Sequence, residues 1–101
     1  MFRHYKLKVY INGIWFHDVL IDSHVTERHG DSIDDQLVLK LVGLLHMKSY
    51  KSEDTDENGF EYFVNGELYL DGKPYRMVWL LPPDRSYIGV RTAFRRRSHG
   101  K

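Results

Sequence analysis

The stretch HVTERHGDS, His24 to Ser32, places two histidines, an acid and an arginine within six residues and then breaks on Gly30. On a helix, His24, Glu27 and Arg28 share one face. An imidazole held near a carboxylate and a permanent cation suits proton transfer at near-neutral pH. A polar helix face on which Arg28 only pairs with nearby carboxylates accounts for the same residues. His24 and His29 stand five apart, about 140° around a helix, so they do not make the i, i+4 histidine pair of a metal site. A second group closes the chain: YIGVRTAFRRR joins a strand to Arg91, Arg95, Arg96 and Arg97, with Tyr87 at its start. Cleaving RNA without a metal needs a base for the 2′-OH proton, an acid for the leaving 5′ oxygen and fixed cations for the charge that builds on phosphorus. His, Glu, Tyr and Arg suffice, and no cofactor or metal is expected. An arginine run can equally be a solvated tail that adds only nonspecific phosphate affinity.

Other chemistries lack their residues. DTDENG, Asp54 to Gly59, matches the opening of a calcium-binding EF-hand loop, but the twelfth position is Asn65 where a bidentate Glu is required. It reads as an acidic loop leading into a strand. There is no serine nucleophile elbow, phosphate-cradling glycine loop or dinucleotide fingerprint, and Gly72-Lys73-Pro74 has the wrong neighbours for phosphate. Cysteine is absent, which excludes disulfides and thiolate ligands. A reducing, cytoplasmic setting is therefore expected.

The elements that must position these groups come from patterning. With 101 residues, 42% of them hydrophobic and 14% aromatic, one domain spanning 1–101 with one core is expected, residues 96–101 forming a flexible basic tail. The longest apolar run, Leu37 to Leu45, is too short to cross a bilayer, and Met1 leads into Arg3, His4 and Lys6 without an apolar signal region. Net charge is only +1, yet Arg91 to Lys101 holds five basic residues and no acid, while four of the five residues Glu53 to Glu57 are acidic. Steering depends on that placement rather than on the total.

KLKVYINGIWFHDVLI alternates around Asn12-Gly13, which predicts a hairpin with Leu7, Val9, Ile11, Ile14 and Phe16 on the core side. Ser23 caps a short helical turn through Arg28 that Gly30 ends, and Ser32 with Asp35 opens a helix from Ile33 to about His46. Lys48 to Asn58 reads as an exposed loop. A meander follows: Phe60 to Val64, an Asn65-Gly66 turn, Glu67 to Leu70, an Asp71-Gly72 turn, Tyr75 to Leu81, and Tyr87 to Phe94 after Pro82-Pro83-Asp84. On the last strand Ile88, Val90, Thr92 and Phe94 point one way, and Tyr87, Gly89, Arg91, Ala93 and Arg95 the other. The expected class is α+β, an N-terminal hairpin and one main helix packed on an antiparallel meander sheet.

A histidine about two dozen residues in, then E-R-x-G, an acidic-capped helix, a loop and a meander ending in V-R-T-A-F-R-R resembles the small RelE-like ribonuclease toxins. In these, H-x-x-x-R-x-x-G opens a helix and V-x-T-x-Y-R-R closes the sheet. The resemblance covers Ile21 to Arg97 and implies a metal-independent endoribonuclease whose partners are RNA or the ribosome and a cognate antitoxin. It carries His24, Arg28, Arg91 and Arg95 over as site residues. Glu27 would complement or orient His24, and Arg96 and Arg97 would add RNA affinity. Two features depart from the pattern: Phe94 stands where the family has Tyr, so that Tyr87 must supply any phenol, and the hairpin of Lys6 to Ile21 is more developed. The competing expectations are a noncatalytic inhibitor or immunity-type module, whose acidic loop masks a basic partner, and a nucleic-acid-binding protein without catalysis.

Overall fold

The computed structural model describes residues 1–29 and 33–96, the side chains of residues 27–29 excepted. Two long strands, β1 (Phe2–Ile11) and β2 (Ile14–Asp22), make the hairpin. Asn12 and Gly13 turn it at φ of 54° and 78°, the pair of positive values a type I′ turn demands. Ile11 lies opposite Ile14 and Val9 opposite Phe16, and Val9, Ile11 and Phe16 are buried. Two short helices follow, α1 (His24–His29) and α2 (Asp35–Gly43). The rest is β3 (Asp54–Thr55), β4 (Glu61–Leu70), β5 (Lys73–Leu81) and β6 (Ile88–Arg95).

All six strands form one sheet in the order β1-β2-β6-β5-β4-β3. Every neighbouring pair is antiparallel except β2 with β6, which run parallel with Val19, Leu20 and Ile21 beside Ile88, Gly89 and Val90. The expected class is thereby corrected. The described residues form a six-stranded mixed sheet with two short helices, not one main helix packed on an antiparallel meander. The hairpin is no appendage, because β2 joins the sheet through apolar residues that pair across the parallel seam, which local periodicity does not reveal.

The helix expectation fails for an identifiable reason. Apolar residues at helical spacing from Ile33 to Leu45 suggest one long helix, yet α2 stops at Gly43 and Met47 takes a φ of 67°. Ile33 and Leu45 are still fully buried, from positions outside the helix on either side of it. The cap also differs: the Asp34 carboxylate accepts the Leu37 N–H at 2.9 Å, while Gly30 and Ser32, read as stop and cap, lie outside the described residues. Asp35 is used elsewhere. Its carboxylate takes two hydrogen bonds from Arg3, Nε at 2.6 Å and Nη2 at 2.8 Å, and one from the Tyr5 hydroxyl, while Arg3 Nη2 also donates to Thr26 Oγ1. One arginine thus ties α1 and α2 to β1.

The Arg3 hydrogen bonds hold the Asp35 carboxyl below the usual carboxylate range against the opposing effect of burial. A depressed carboxyl contributes stability that is present above its unfolded pKa and is lost as pH falls through the folded one. Asp35→Asn should therefore cost about 2 kcal/mol at pH 7. The gap to the native protein should narrow below about pH 4. Urea unfolding at both pH values measures this; a constant gap would contradict the assignment.

Asn65-Gly66 is not a turn but a register slip within β4, which continues to Leu70 and pairs with β5 on both sides of it. Asn65 stays in the strand because its Oδ1 accepts the Trp79 indole N–H at 2.7 Å. The true turn is Asp71-Gly72, at φ of 52° and 76°. β6 also slips, between its pairings of Thr92 with Val78 and Val90 with Trp79. Arg91 is the extra residue of this bulge, so Ala93 turns into the core opposite Met77 and the alternation expected along the last strand is broken there. Among the described residues no helix is long and apolar enough to cross a membrane.

Candidate functional site

The parallel seam decides what meets what. Ile21 lies beside Val90, so the next residues, Asp22 and Arg91, emerge together at the ends of their pairing. Asp22 Oδ2 is 3.9 Å from Arg91 Nε. The other oxygen, Oδ1, accepts the His24 backbone N–H at 3.0 Å and sits 2.9 Å from His24 Nδ1. A carboxylate only accepts, so Nδ1 carries the ring proton and Nε2 is left as the basic nitrogen. Asp22 therefore starts α1, the role expected of Ser23, and orients the imidazole as well.

One rung across the sheet sets Leu20, Gly89, Leu80 and Tyr62 side by side on β2, β6, β5 and β4. Their side chains face away from the core that Val19, Ile21, Ile88 and Val90 fill. On this face lies a cleft of about 500 Å³, floored by Leu80 and Gly89 and walled by Phe2, Phe60, Tyr62, Tyr87, Asp22 and Arg91. Gly89 is closely approached by its neighbours: a Cβ there would stand 2.8 Å from Leu80 Cδ1 and 3.4 Å from the Tyr87 ring, so the Leu80 side chain would have to shift. Gly89→Ala is expected to cost about 1–3 kcal/mol by overpacking. Unfolding in urea checks it, and an unchanged midpoint would show that the floor yields freely.

The rim opposite Asp22 is built by the loop after β3. Asp56 accepts the backbone N–H groups of Asn58 at 2.9 Å and Phe60 at 3.0 Å, and the Tyr62 hydroxyl at 3.1 Å. The acidic motif read as a failed calcium loop is thus organised by its own second acid, Asp56. No group of three or more potential ligands is gathered for a metal among the described residues. Burial first, then the bond to Asp56, pushes the Tyr62 phenol above its usual value, with Arg91 opposing. Tyr62 remains a neutral hydroxyl at physiological pH. For Asp22, burial opposes ionisation, but the His24 backbone and ring hydrogen bonds and the nearby charges of His24 and Arg91 hold its carboxyl below the usual range.

Of the residues anticipated from sequence, the structure brings His24, Arg91 and Tyr87 to this end of the sheet. The side chains of Glu27 and Arg28, and all of Arg97, lie outside the described residues. Arg95 and Arg96 do not join. Four residue steps along the strand carry Arg95 away from Arg91, roughly 13 Å, and Arg95 is exposed where it pairs with Tyr75. Arg96 is held at that far end, its backbone N–H on Pro74 and its Nη1 on the Gly66 carbonyl at 2.9 Å. Sequence reasoning missed Asp22, Asp56 and Tyr62. Only Asp22 left a local signal, an acid two residues before a helix-opening histidine.

No protein-family model, curated protein or solved structure matches the chain. The chemistry of the cleft rests on its own geometry.

Proposed function

We propose that the protein is a metal-independent endoribonuclease whose site is the cleft between Asp22 and Asp56. The observation that carries this reading is an Asp22 carboxylate on the wall of an aromatic cleft, with the His24 imidazole on one oxygen and Arg91 near the other. His24 Nε2 takes the 2′-OH proton as the 2′ oxygen attacks phosphorus. The bond from phosphorus to the 5′ oxygen breaks, and that oxygen receives a proton from Tyr87, whose hydroxyl no hydrogen bond engages among the described residues. The products are a 2′,3′-cyclic phosphate and a 5′-hydroxyl. Arg91 meets the charge on the non-bridging oxygens; at 3.9 Å its contact with Asp22 is loose enough to leave guanidinium N–H groups for a phosphate. Phe2, Phe60 and Tyr62 supply faces on which unpaired bases stack. The resemblance to RelE-like toxins supports the same activity and adds RNA or the ribosome and an antitoxin as partners in a cytoplasmic setting.

The phosphate role is tested without cleavage. A 2′-deoxy dinucleotide titrated into isotope-labelled protein should shift the backbone resonances of Gly89 and Arg91, and Arg91→Ala should weaken binding about 10- to 100-fold, the value of a charged hydrogen bond. Equal affinity for both proteins would remove Arg91 from the site.

A further inference from the structure

The outward side chains of β1 run from the cleft to the opposite end of the hairpin. Its burial alternates along the strand: Phe2, His4, Lys6, Lys8 and Tyr10 face out, while Tyr5, Leu7, Val9 and Ile11 turn to the core. Phe2 lines the cleft. Tyr10 stacks obliquely on Trp15, ring centroids 5.0 Å apart. Trp15 is 48% exposed, an unusual state for the largest apolar side chain. Its other neighbours are His46 at 5.8 Å and the Lys8 ammonium, 4.8 Å above the ring.

We infer that this stripe is a track for single-stranded nucleic acid leading away from the cleft, with Trp15 as a base-stacking platform at its far end. The inference rests on the nucleic-acid reading of the cleft and extends it to an elongated single-stranded substrate. Aromatic groups mark the two ends, and the Lys6 and Lys8 ammoniums stand between them in a two-residue repeat of about 6.8 Å, at the start of the stretch where the register of β1 shifts. That repeat suits the phosphates of an extended single strand, and stacking on an exposed indole is indifferent to base identity. Charge favours the same occupant. Lys8 and the exposed Lys48 are paired with no carboxylate among the described residues. The hairpin bond from Asn12 N–H to the Lys48 carbonyl holds that residue at this end. One acid interrupts the stripe: Asp18 receives both His4 Nε2 and Lys6 Nζ at 2.7 Å. A phosphate on Lys6 must compete with it, which makes Asp18 a brake on affinity.

The test uses labelled oligothymidylates of three and eight nucleotides, which lack the 2′-OH and are not cut, with binding read by anisotropy. The octamer should bind at least about tenfold tighter than the trimer, as one stacked base and added phosphate contacts imply. Trp15→Ala combined with Lys8→Ala should erase that gain and leave trimer affinity unchanged. Asp18→Asn should tighten the octamer alone and steepen its salt dependence by roughly 0.7 in the logarithmic slope. Circular dichroism confirms that these surface variants fold. Equal binding of both lengths, or a length gain that survives the double substitution, overturns the track. Should Trp15→Ala instead dissolve a dimer seen by sedimentation, with no length gain, the stripe is a self-association surface and the track is overturned. Failure of the cleft reading looks different: trimer binding is then absent or indifferent to Arg91→Ala, while the octamer still depends on Trp15.

Discussion

His24→Ala is expected to slow RNA cleavage by about 10²- to 10⁴-fold while leaving affinity for an uncut oligonucleotide within a factor of about two, the range for losing a positioned general acid or base. The basis is the division of labour at Asp22. One carboxylate oxygen fixes the tautomer of His24 through Nδ1, which leaves Nε2 as the nitrogen that can accept a proton. Arg91 stands on the other oxygen. Asp22→Asn should therefore lower the rate as well, because an amide can donate as well as accept and no longer dictates which ring nitrogen carries hydrogen. The two substitutions act through one unit, so the double variant should be little slower than His24→Ala alone. Single-turnover kinetics on a labelled single-stranded RNA measure all three. Independent, multiplying losses would show that Asp22 does not act through His24.

The largest effect on stability is expected at Trp79. Its ring is fully buried, stacks on Phe63 with centroids 4.2 Å apart and an interplanar angle of 11°, and meets Tyr50 edge-on. Its N–H is satisfied by Asn65. Trp79→Ala should cost about 3–5 kcal/mol through the cavity and the lost contacts. That is a large share of the roughly 5–15 kcal/mol available to a domain of this size. Urea unfolding should show a lower midpoint with an unchanged slope. A cost under about 1 kcal/mol would mean that the centre of the sheet repacks around the void, against the close packing found there.

What could be read from the chain follows the range of each interaction. Asn12-Gly13 and Asp71-Gly72 declare their turns because positive φ at two consecutive residues restricts the choice to a few residue types. The same reasoning misplaced Asn65-Gly66, since the competing demand, an acceptor for the Trp79 N–H, comes from another strand. Apolar spacing between Ile33 and Leu45 marked residues that are buried, but could not separate a helix of nine residues from flanking non-helical residues that bury their side chains equally well. The parallel pairing of β2 with β6 has no local signature at all. Since that pairing delivers Arg91 to Asp22, His24 and Arg91 were recognisable as candidates while the carboxylate between them was not. Tyr62 and Asp56 escaped notice for a similar reason: the motif around Asp56 was weighed only as a calcium loop, and its actual service is to fold a rim.

The bulge at Arg91 shows how a break in pattern serves the site. Regular alternation would have carried Arg91 and Arg95 on one face, as the sequence suggests. The extra residue instead leaves Arg91 at the cleft and turns Ala93 into the core, so a single strand closes the apolar interior and offers a cation outside it.

The central claim, that this cleft cuts RNA without a metal, is met most directly by incubating the purified protein with a 5′-labelled single-stranded RNA in EDTA and resolving the ends of the products. The account predicts cleavage by the native protein that persists in the chelator, leaves a 2′,3′-cyclic phosphate and falls about 10²- to 10³-fold in Arg91→Ala. Intact RNA, with or without ribosomes present, or cleavage that Arg91→Ala leaves untouched, would contradict it.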